Sequence, residues 1–579
     1  MKRVVNKNIL FALLAFFSFA ACSLEETDLP FVNQQSFYRT EAQCRSVVNG
    51  CYIEIADIYH SSFLLMVEAC TDLYYCTTTT EDARLEISPS KPEFGATIWK
   101  RGYRGVDLCN EAIACIGATK YVDDAVKMPM VAECRVLRAM YYYVLTNTFN
   151  GVPFYTCQVN TYAVQDSIRY LGRTPANEIR KYLYDDLRDN ALPYFTEENG
   201  LKCREVEAPQ LRSGYAHALM LMAKFAMWYG EDDNYEDALW ALKELEKLYG
   251  TFNESNYPLD EIRWSHKKGV ETIFEIQHEY DVAGITFAGT VAKMMMPTRG
   301  VNAQGKFLWD GVDLPGYGNT MPSVAVMRVN PKFASFRTYK SAADADKKDK
   351  DSPDDPYRQL VSTSKNCVFG YKNLPVSVEE SRGDKDYYYV DLDHAKLKTC
   401  DRRAVLNFAF GNWETGEAFN YIKKDGYFYS GEKFWCPNIL QNYDSNNYKI
   451  FRYADAILML AECYCHREDS ENAFRYLNMV RERAGVAPHE SFTGYEDLLT
   501  SIINERAFEL CGEFHRKWDL VRWGIWYQKT YDNTAYTNGE ESLQANMRPC
   551  HEYYPIPDKQ CSMSGYALDN PAYTEYGLN

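Results

Sequence analysis

The stretch NERAFELCGEFHRKWDLVRWG, residues 504–524, interleaves charge with aromatic bulk instead of sorting them onto separate faces. Glu505, Arg506, Glu509, Glu513, Arg516, Asp519 and Arg522 stand among Phe508, Phe514, Trp518, Leu520 and Trp523. Residues three or four apart share a helix face, which aligns Glu505, Glu509 and Glu513 and sets Arg506 beside Glu509. A charge buried against rings is tolerated only when it is paired. The stretch is therefore expected to form two helical pieces hinged near Gly512 and locked by carboxylate–guanidinium pairs, a structural clasp. An acid/base site is the lesser reading, because ion-pair networks perturb carboxylates without doing chemistry.

Outward from the clasp the chain reads as helices. Residues 495–511 lead into it, 471–484 form a helix closed by Gly485, and 448–466 form another. In the N-terminal half, helical periodicity covers 41–58, 97–118, 129–149, 175–192, 210–229 and 235–249, with Pro175 at a first turn and GEDDN dividing the last two. Such pairs resemble tetratricopeptide arrays, although the strict repeat consensus is absent. The expected fold is mainly α: a tetratricopeptide-like helical-pair scaffold carrying a large irregular, loop-rich ligand-binding part. Its divisions are 1–21, 22–252, 253–448 and 449–579, packed as one body. In 253–448, Gly, Pro, Asn and Asp accumulate around aromatic residues that include Trp309 and Tyr317. Loops on a rigid scaffold are where binding tends to sit. The proline-bounded tail segments 552–560 and 569–573 are expected to lie over the surface.

The chain has 579 residues, 46% of them hydrophobic and 25% charged, which suits a folded protein and excludes wholesale disorder. Its formal net charge of −17, with no basic stripe, argues against nucleic acid as a partner. Forty-six tyrosines and ten tryptophans offer rings with polar tips, suited to sugar or peptide contact as well as to packing. The eighteen cysteines show no zinc spacing, and Cys463, Cys465 and His466 read as buried small residues rather than ligands. Disulfide pairing stays unassigned. The acidic run 344–355 lacks the glycine and glutamate of a calcium loop, so no metal or cofactor is expected. Serine-elbow, H-E-x-x-H and phosphate-loop patterns are missing.

Residues 1–21 are a targeting segment: Lys2, Arg3 and Lys7 precede a 13-residue apolar run from Ile9, then FAAC ends at Cys22. The run is too short for a permanent span. FAAC resembles a bacterial lipobox with Phe19 in place of the usual leucine, which makes Cys22 the acylated N-terminus of a lipid-anchored protein. Glu25, Glu26 and Asp28 behind it resemble the acidic surface-export tag of Bacteroidetes lipoproteins.

With the lipobox, FRYADAILMLAE at 451–462, NMVRERAGV at 478–486, the clasp and YYPIP at 553–557, the chain resembles the SusD/RagB family of outer-membrane nutrient-binding lipoproteins. The clasp matches that family's pattern at Glu505, Arg506, Glu509, Leu510, Glu513, Arg516, Asp519, Leu520, Arg522 and Trp523, and departs at Phe514, where the family usually has glycine. Trp99, Tyr103 and Asn110 fit its W-x-x-x-Y and downstream asparagine. The resemblance implies cell-surface glycan capture and delivery to a SusC-like, TonB-dependent β-barrel transporter of the outer membrane, without catalytic residues. Peptide binding within the same family, a glycoside hydrolase and a purely structural subunit are the alternatives. Trp99, Trp309 and Tyr317, with Asp72 and Tyr74 from the threonine-rich loop, are the expected ligand contacts.

Overall fold

The computed structural model describes residues 37–295 apart from 77–79 and 282–283, the segments 327–329, 367–370, 388–391 and 403–409, and residues 428–578 apart from 435, 437–442, 487, 490 and 534–540. The signal segment, Cys22, the acidic run 344–355, Trp309 and Tyr317 lie outside these residues.

Helix α1 (Glu41–Gly50) opens on a capping box between Thr40 and Gln43, and α2 (Ile53–Ile58) follows a break at Cys51 and Tyr52. The one helix expected over 41–58 is thus two, because Tyr52 turns inward to donate to Glu133 at 2.5 Å. Helices α3 (Phe94–Ala118) and α4 (Asp124–Phe149) pack along each other. Helix α4 starts before the expected Pro129: the Asp123 carbonyl accepts from the amides of Val126 and Lys127, and Pro129 forgoes only its own bond one turn back. The short α5 (Tyr162–Arg169) leads to α6 (Ala176–Asn190). Helices α7 (Tyr215–Tyr229) and α8 (Glu236–Tyr249) form the next pair, and α9 (Tyr453–His466) and α10 (Ser470–Arg483) another. Residues 210–214 are not helical as expected, since Gln210 and Leu211 take left-handed backbone with φ of 57° and 55°.

Strands are short. β2 (Thr272–Ile276) pairs antiparallel with β10 (Tyr448–Arg452), β3 (Glu279–Asp281) antiparallel with β4 (Gly284–Phe287), and β6 (Cys367–Gly370) parallel with β7 (Tyr388–Asp391), while β1 (Tyr74–Cys76) joins β5 (Met327–Val329), β9 (Phe428–Ser430) and β8 (Phe408–Ala409) in the order β1-β5-β9-β8. The helix expected over 448–466 therefore begins at Tyr453. YKIFR is buried at every position, and an apolar run covered on both faces carries no period to distinguish strand from helix. The tail corrects a second expectation: Tyr554, Ile556 and Tyr573 are buried. Gly95 makes room for this, because a Cβ there would stand 2.8 Å from Tyr554 Cδ1. One contiguous apolar cluster runs from Tyr38 to Tyr573. Mainly α in content, the described residues are helical pairs with short sheets between them.

The clasp consists of α11 (Tyr495–Glu509) and α12 (Arg516–Arg522), with Gly512 between them at φ 75°. Arg506 closes it internally, donating to Asp519 at 2.9 and 2.7 Å. The other charges reach outward. Glu509 and Glu513 both accept from Arg452, Glu509 also from Arg403 and Arg483, and Glu505 from Arg403 and Arg481. Arg516 forks onto Asp72, while Arg522 and the Trp523 indole N–H bind Glu462. Arg506, set beside Glu509 by helix spacing, serves Asp519 and Asp455 instead.

Phe514 stands at φ 66°, a backbone region that glycine enters freely and a bulky residue does not. Its fully buried ring packs 5.2 Å from Tyr59, 5.7 Å from Phe63 and 6.0 Å from Trp264, centroid to centroid. Phe514→Gly would relieve about 1–2 kcal/mol of strain but empty a site whose ring is worth about 3–5 kcal/mol. A net loss of about 2 kcal/mol is expected in urea denaturation, and a stabilised variant would show that the backbone strain outweighs the packing.

Candidate functional site

Trp99, Tyr103 and Asp107 follow one another at four-residue intervals and so form one stripe along α3. After α4 the chain turns at Asn150 and Gly151 and returns over that stripe. The Tyr103 hydroxyl donates to the Pro153 carbonyl at 2.8 Å, and the Tyr155 ring lies nearly parallel to that of Tyr103, 6.0 Å between centroids and 8° between planes. The Tyr155 hydroxyl donates to Asp107 at 2.8 Å. Trp99 tilts against Tyr103 at 4.9 Å and meets the edge of Phe149 at 5.2 Å.

The outer wall is α5. Thr161 caps it by accepting from the Val164 amide, and none of its residues is fully buried; Tyr162 is 91% exposed. Arg169 ties it to the tail by donating to the Met563 carbonyl at 2.6 Å. Gln560, Met563, Ser564 and Leu568 complete a cleft of about 850 Å³. Burial raises the Asp107 carboxyl above its ordinary range, and the hydrogen bond from Tyr155 opposes that rise. The cleft thus combines tyrosine and tryptophan rings with carboxylate, amide and guanidinium groups at its rim. That combination suits adsorption of a ligand with flat apolar faces and polar edges.

Of the expected ligand contacts, Trp99 lines this cleft. Asp72 and Tyr74 come together elsewhere, under the clasp: Asp72 accepts both arms of Arg516 at 2.8 and 2.6 Å, and Tyr74, 1% exposed in β1, has its hydroxyl 3.3 Å from Cys511 Sγ. Neither lines the cleft. Asn110 holds Arg138 at 2.9 Å, and Arg138 in turn pairs with Asp186. Sequence reasoning singled out Trp99 and Tyr103 but not Asp107, whose four-residue spacing was readable, nor Tyr155, Tyr162 and the tail, which only the fold brings near. Fifteen cysteines among the described residues are free thiols, and the described residues hold no metal-ligating cluster of three His, Cys, Asp or Glu.

Residues 406–573 match the model of the SusD family, and they include α9 to α12 and most of the tail. SusD-like protein P25 of Formosa agariphila is 26% identical, with 98% of each chain aligned. A SusD homologue from Bacteroides thetaiotaomicron superposes with a TM-score of 0.63 at 17% identity, over 93% of this chain and 98% of that one. Surface glycan-binding protein A from Bacteroides uniformis superposes with a TM-score of 0.62 at 17% identity, over 92% and 100%. The fold of this chain is that of these structures; its residues 406–573, which carry the clasp, match the SusD family, and the alignment with P25 extends that likeness along nearly the whole chain.

Proposed function

We propose that this protein is a cell-surface lipoprotein, anchored to the outer membrane through Cys22, that binds a polysaccharide or oligosaccharide and passes it to a SusC-like, TonB-dependent transporter. The observation that carries the binding part is the cleft in which Trp99, Tyr103 and Tyr155 meet Asp107, Gln165 and Arg169. Sugar rings have flat C–H faces and hydroxyl edges, which rings and polar groups of this kind complement. The likeness to a surface glycan-binding protein supports the same reading. A binding role without catalysis accords with the absence of nucleophile, zinc and phosphate-loop motifs from the sequence.

Affinity electrophoresis against a polysaccharide panel, with product analysis of the incubated glycans, tests this. Retardation by at least one glycan with no shorter product is expected. Release of oligosaccharides would turn the reading to a hydrolase, and retention of peptides alone would turn it to peptide capture. Tyr155→Ala is expected to weaken glycan binding about tenfold, the equivalent of one aromatic contact, with little change in melting temperature. Alanine keeps the backbone bonds to Tyr142, and the side-chain bond it removes, to Asp107, is exposed to solvent. If Trp309→Ala abolishes binding and Tyr155→Ala leaves it intact, the glycan sits on the loop-rich part and not in this cleft.

A further inference from the structure

Six arginines are among the largest fully buried side chains: Arg138, Arg180, Arg403, Arg452, Arg483 and Arg506. Five of them pair with carboxylates: Arg138 with Asp186, Arg403 with Glu505 and Glu509, Arg452 with Glu271, Glu509 and Glu513, Arg483 with Glu271 and Glu509, Arg506 with Asp455 and Asp519. Arg180, 2% exposed on α6, has no carboxylate partner among the described residues. Its acceptors are the neutral oxygens of Asn177 at 2.8 Å, Asn147 at 3.1 Å and the Thr146 carbonyl at 3.5 Å, and its Nε has none. The guanidinium lies 3.9 Å from the centre of the Trp228 ring. Burial pulls its pKa down to about 10, so the charge persists at neutral pH.

An uncompensated buried cation is costly, and the fold leaves this one lining an open cleft of about 750 Å³. Arg173, Asn177, Trp228 and Tyr553 share that lining. Helix α6 begins at the same place with Pro175 as its N-cap and no side chain accepting from its first amides, so the positive end of the helix adds to the field. Glu552 and Glu575 line the cleft too, but neither forms an ion pair with Arg180 among the described residues, and burial raises the Glu552 carboxyl toward its neutral form. The two clefts flank one junction. Arg173 donates to the Asp569 carbonyl at 2.9 Å; Arg169 and Leu568 line the aromatic cleft, Arg173 and Asn570 the cationic one.

We propose that the cleft at Arg180 binds a carboxylate or sulfate group carried on a sugar unit, so that the ligand is an acidic glycan. The sugar part rests on the glycan-binding reading above; the anion part rests on Arg180 alone. Two arms of one experiment separate them, both on the full-length mature protein. In the first, calorimetry compares polygalacturonate with its methyl-esterified form, and dextran sulfate with dextran. In the second, melting temperature is followed against sodium sulfate and sodium acetate, with sodium chloride at matched ionic strength.

Wild-type protein is expected to bind at least one acidic polymer tenfold or more tightly than its neutral counterpart, and Arg180→Gln to lose that preference while Arg180→Lys keeps part of it. Should Arg180→Gln not fold, Asn177→Asp provides the second test. It places a carboxylate where Asn177 Oδ1 now accepts from Arg180, and is expected to hold or raise the melting temperature while abolishing the acidic preference. No preference in wild type, or one unchanged in both Arg180→Gln and Asn177→Asp, overturns the proposal. Sulfate or acetate stabilisation lost in Asn177→Asp, with no polymer bound at all, would keep the anion site and overturn the glycan.

Discussion

Arg452→Ala is expected to destabilise the protein by about 4 kcal/mol or more, enough to leave many domains unfolded at physiological temperature. Arg452 is fully buried at the end of β10, where it donates to Glu271 at 2.8 Å, to Glu509 at 3.1 Å and to Glu513 at 2.7 and 2.8 Å. A fifth bond, at 3.0 Å, goes to the Glu509 carbonyl. Removing it leaves three buried carboxylates sharing Arg403, Lys433 and Arg483, and a cavity besides. Arg452→Lys keeps the charge but not the planar fork that reaches several acceptors at once, and should fall between the two. Arg516→Ala removes the pair to Asp72, whose side chain keeps 19% of its surface in solvent, so its cost should be smaller, and it should appear in stability before it appears in glycan binding. Urea denaturation ranks the three. An unfolding free energy for Arg452→Ala within 1 kcal/mol of wild type would show that the network is compensated from elsewhere.

That the clasp was readable and most of its partners were not has a physical reason. Helix spacing is local, so Glu505 and Glu509 declare one face of α11 within five residues of sequence, whereas Glu513 stands past the end of that helix, beyond Gly512. The cations they need arrive from β10, from α10 and from Arg403, and nothing local marks those as partners. The same limit governed the cleft. The stripe of Trp99 and Tyr103 lies on one helix and was seen; the ring that stacks on it comes from a turn after α4, and the opposite wall from the tail. The strand at 448–452 cannot be told from helix in sequence, because a segment buried on both faces shows no period of either kind. Arg180 is a still clearer case: among the described residues its hydrogen-bond acceptors are all neutral oxygens, and which oxygens surround a side chain is decided only in three dimensions.

Acid should unfold this protein steeply below about pH 4, and stability should also decline between about pH 5 and 8, giving a maximum that is unusually acidic. Burial by itself pushes the Glu509 carboxyl up, but Arg483, Arg452 and Arg403 outweigh it and hold it well below the usual carboxylate range. Asp455 is held down in the same way by Lys224 and Arg506, Glu462 by Arg522, Glu513 by Arg452 and Lys433, and Asp519 by Arg506 and Arg522. A carboxyl depressed in the folded state contributes stability that is fully present above its unfolded value, near 4, and is lost as pH falls toward the folded one. Five such groups, two around Arg452 and three around Arg506 and Arg522, make the acid limb steep. Glu68 acts in the opposite direction. It sits in the π-helical turn Leu65–Ala69 beneath the clasp, where burial pushes it up to about 8 although the amides of Arg516 and His515 donate to it. Asp444 is pushed up to about 7 and Asp82 to about 6, also by burial. For these groups the unfolded chain releases its proton first, so stability falls as pH rises from the unfolded value to the folded one, by an amount on the order of 4 kcal/mol for Glu68 alone. Glu68→Gln removes that titration. Its amide nitrogen would take the place of an oxygen that has no partner, so the variant need not be more stable at any one pH; what should change is the slope. Unfolding free energy measured from pH 3 to 9 should keep the acid limb and flatten above pH 5 in the variant. An unchanged slope would mean that Glu68 is ionised in the fold at neutral pH, with its charge held by the two backbone amides and the cations of the clasp.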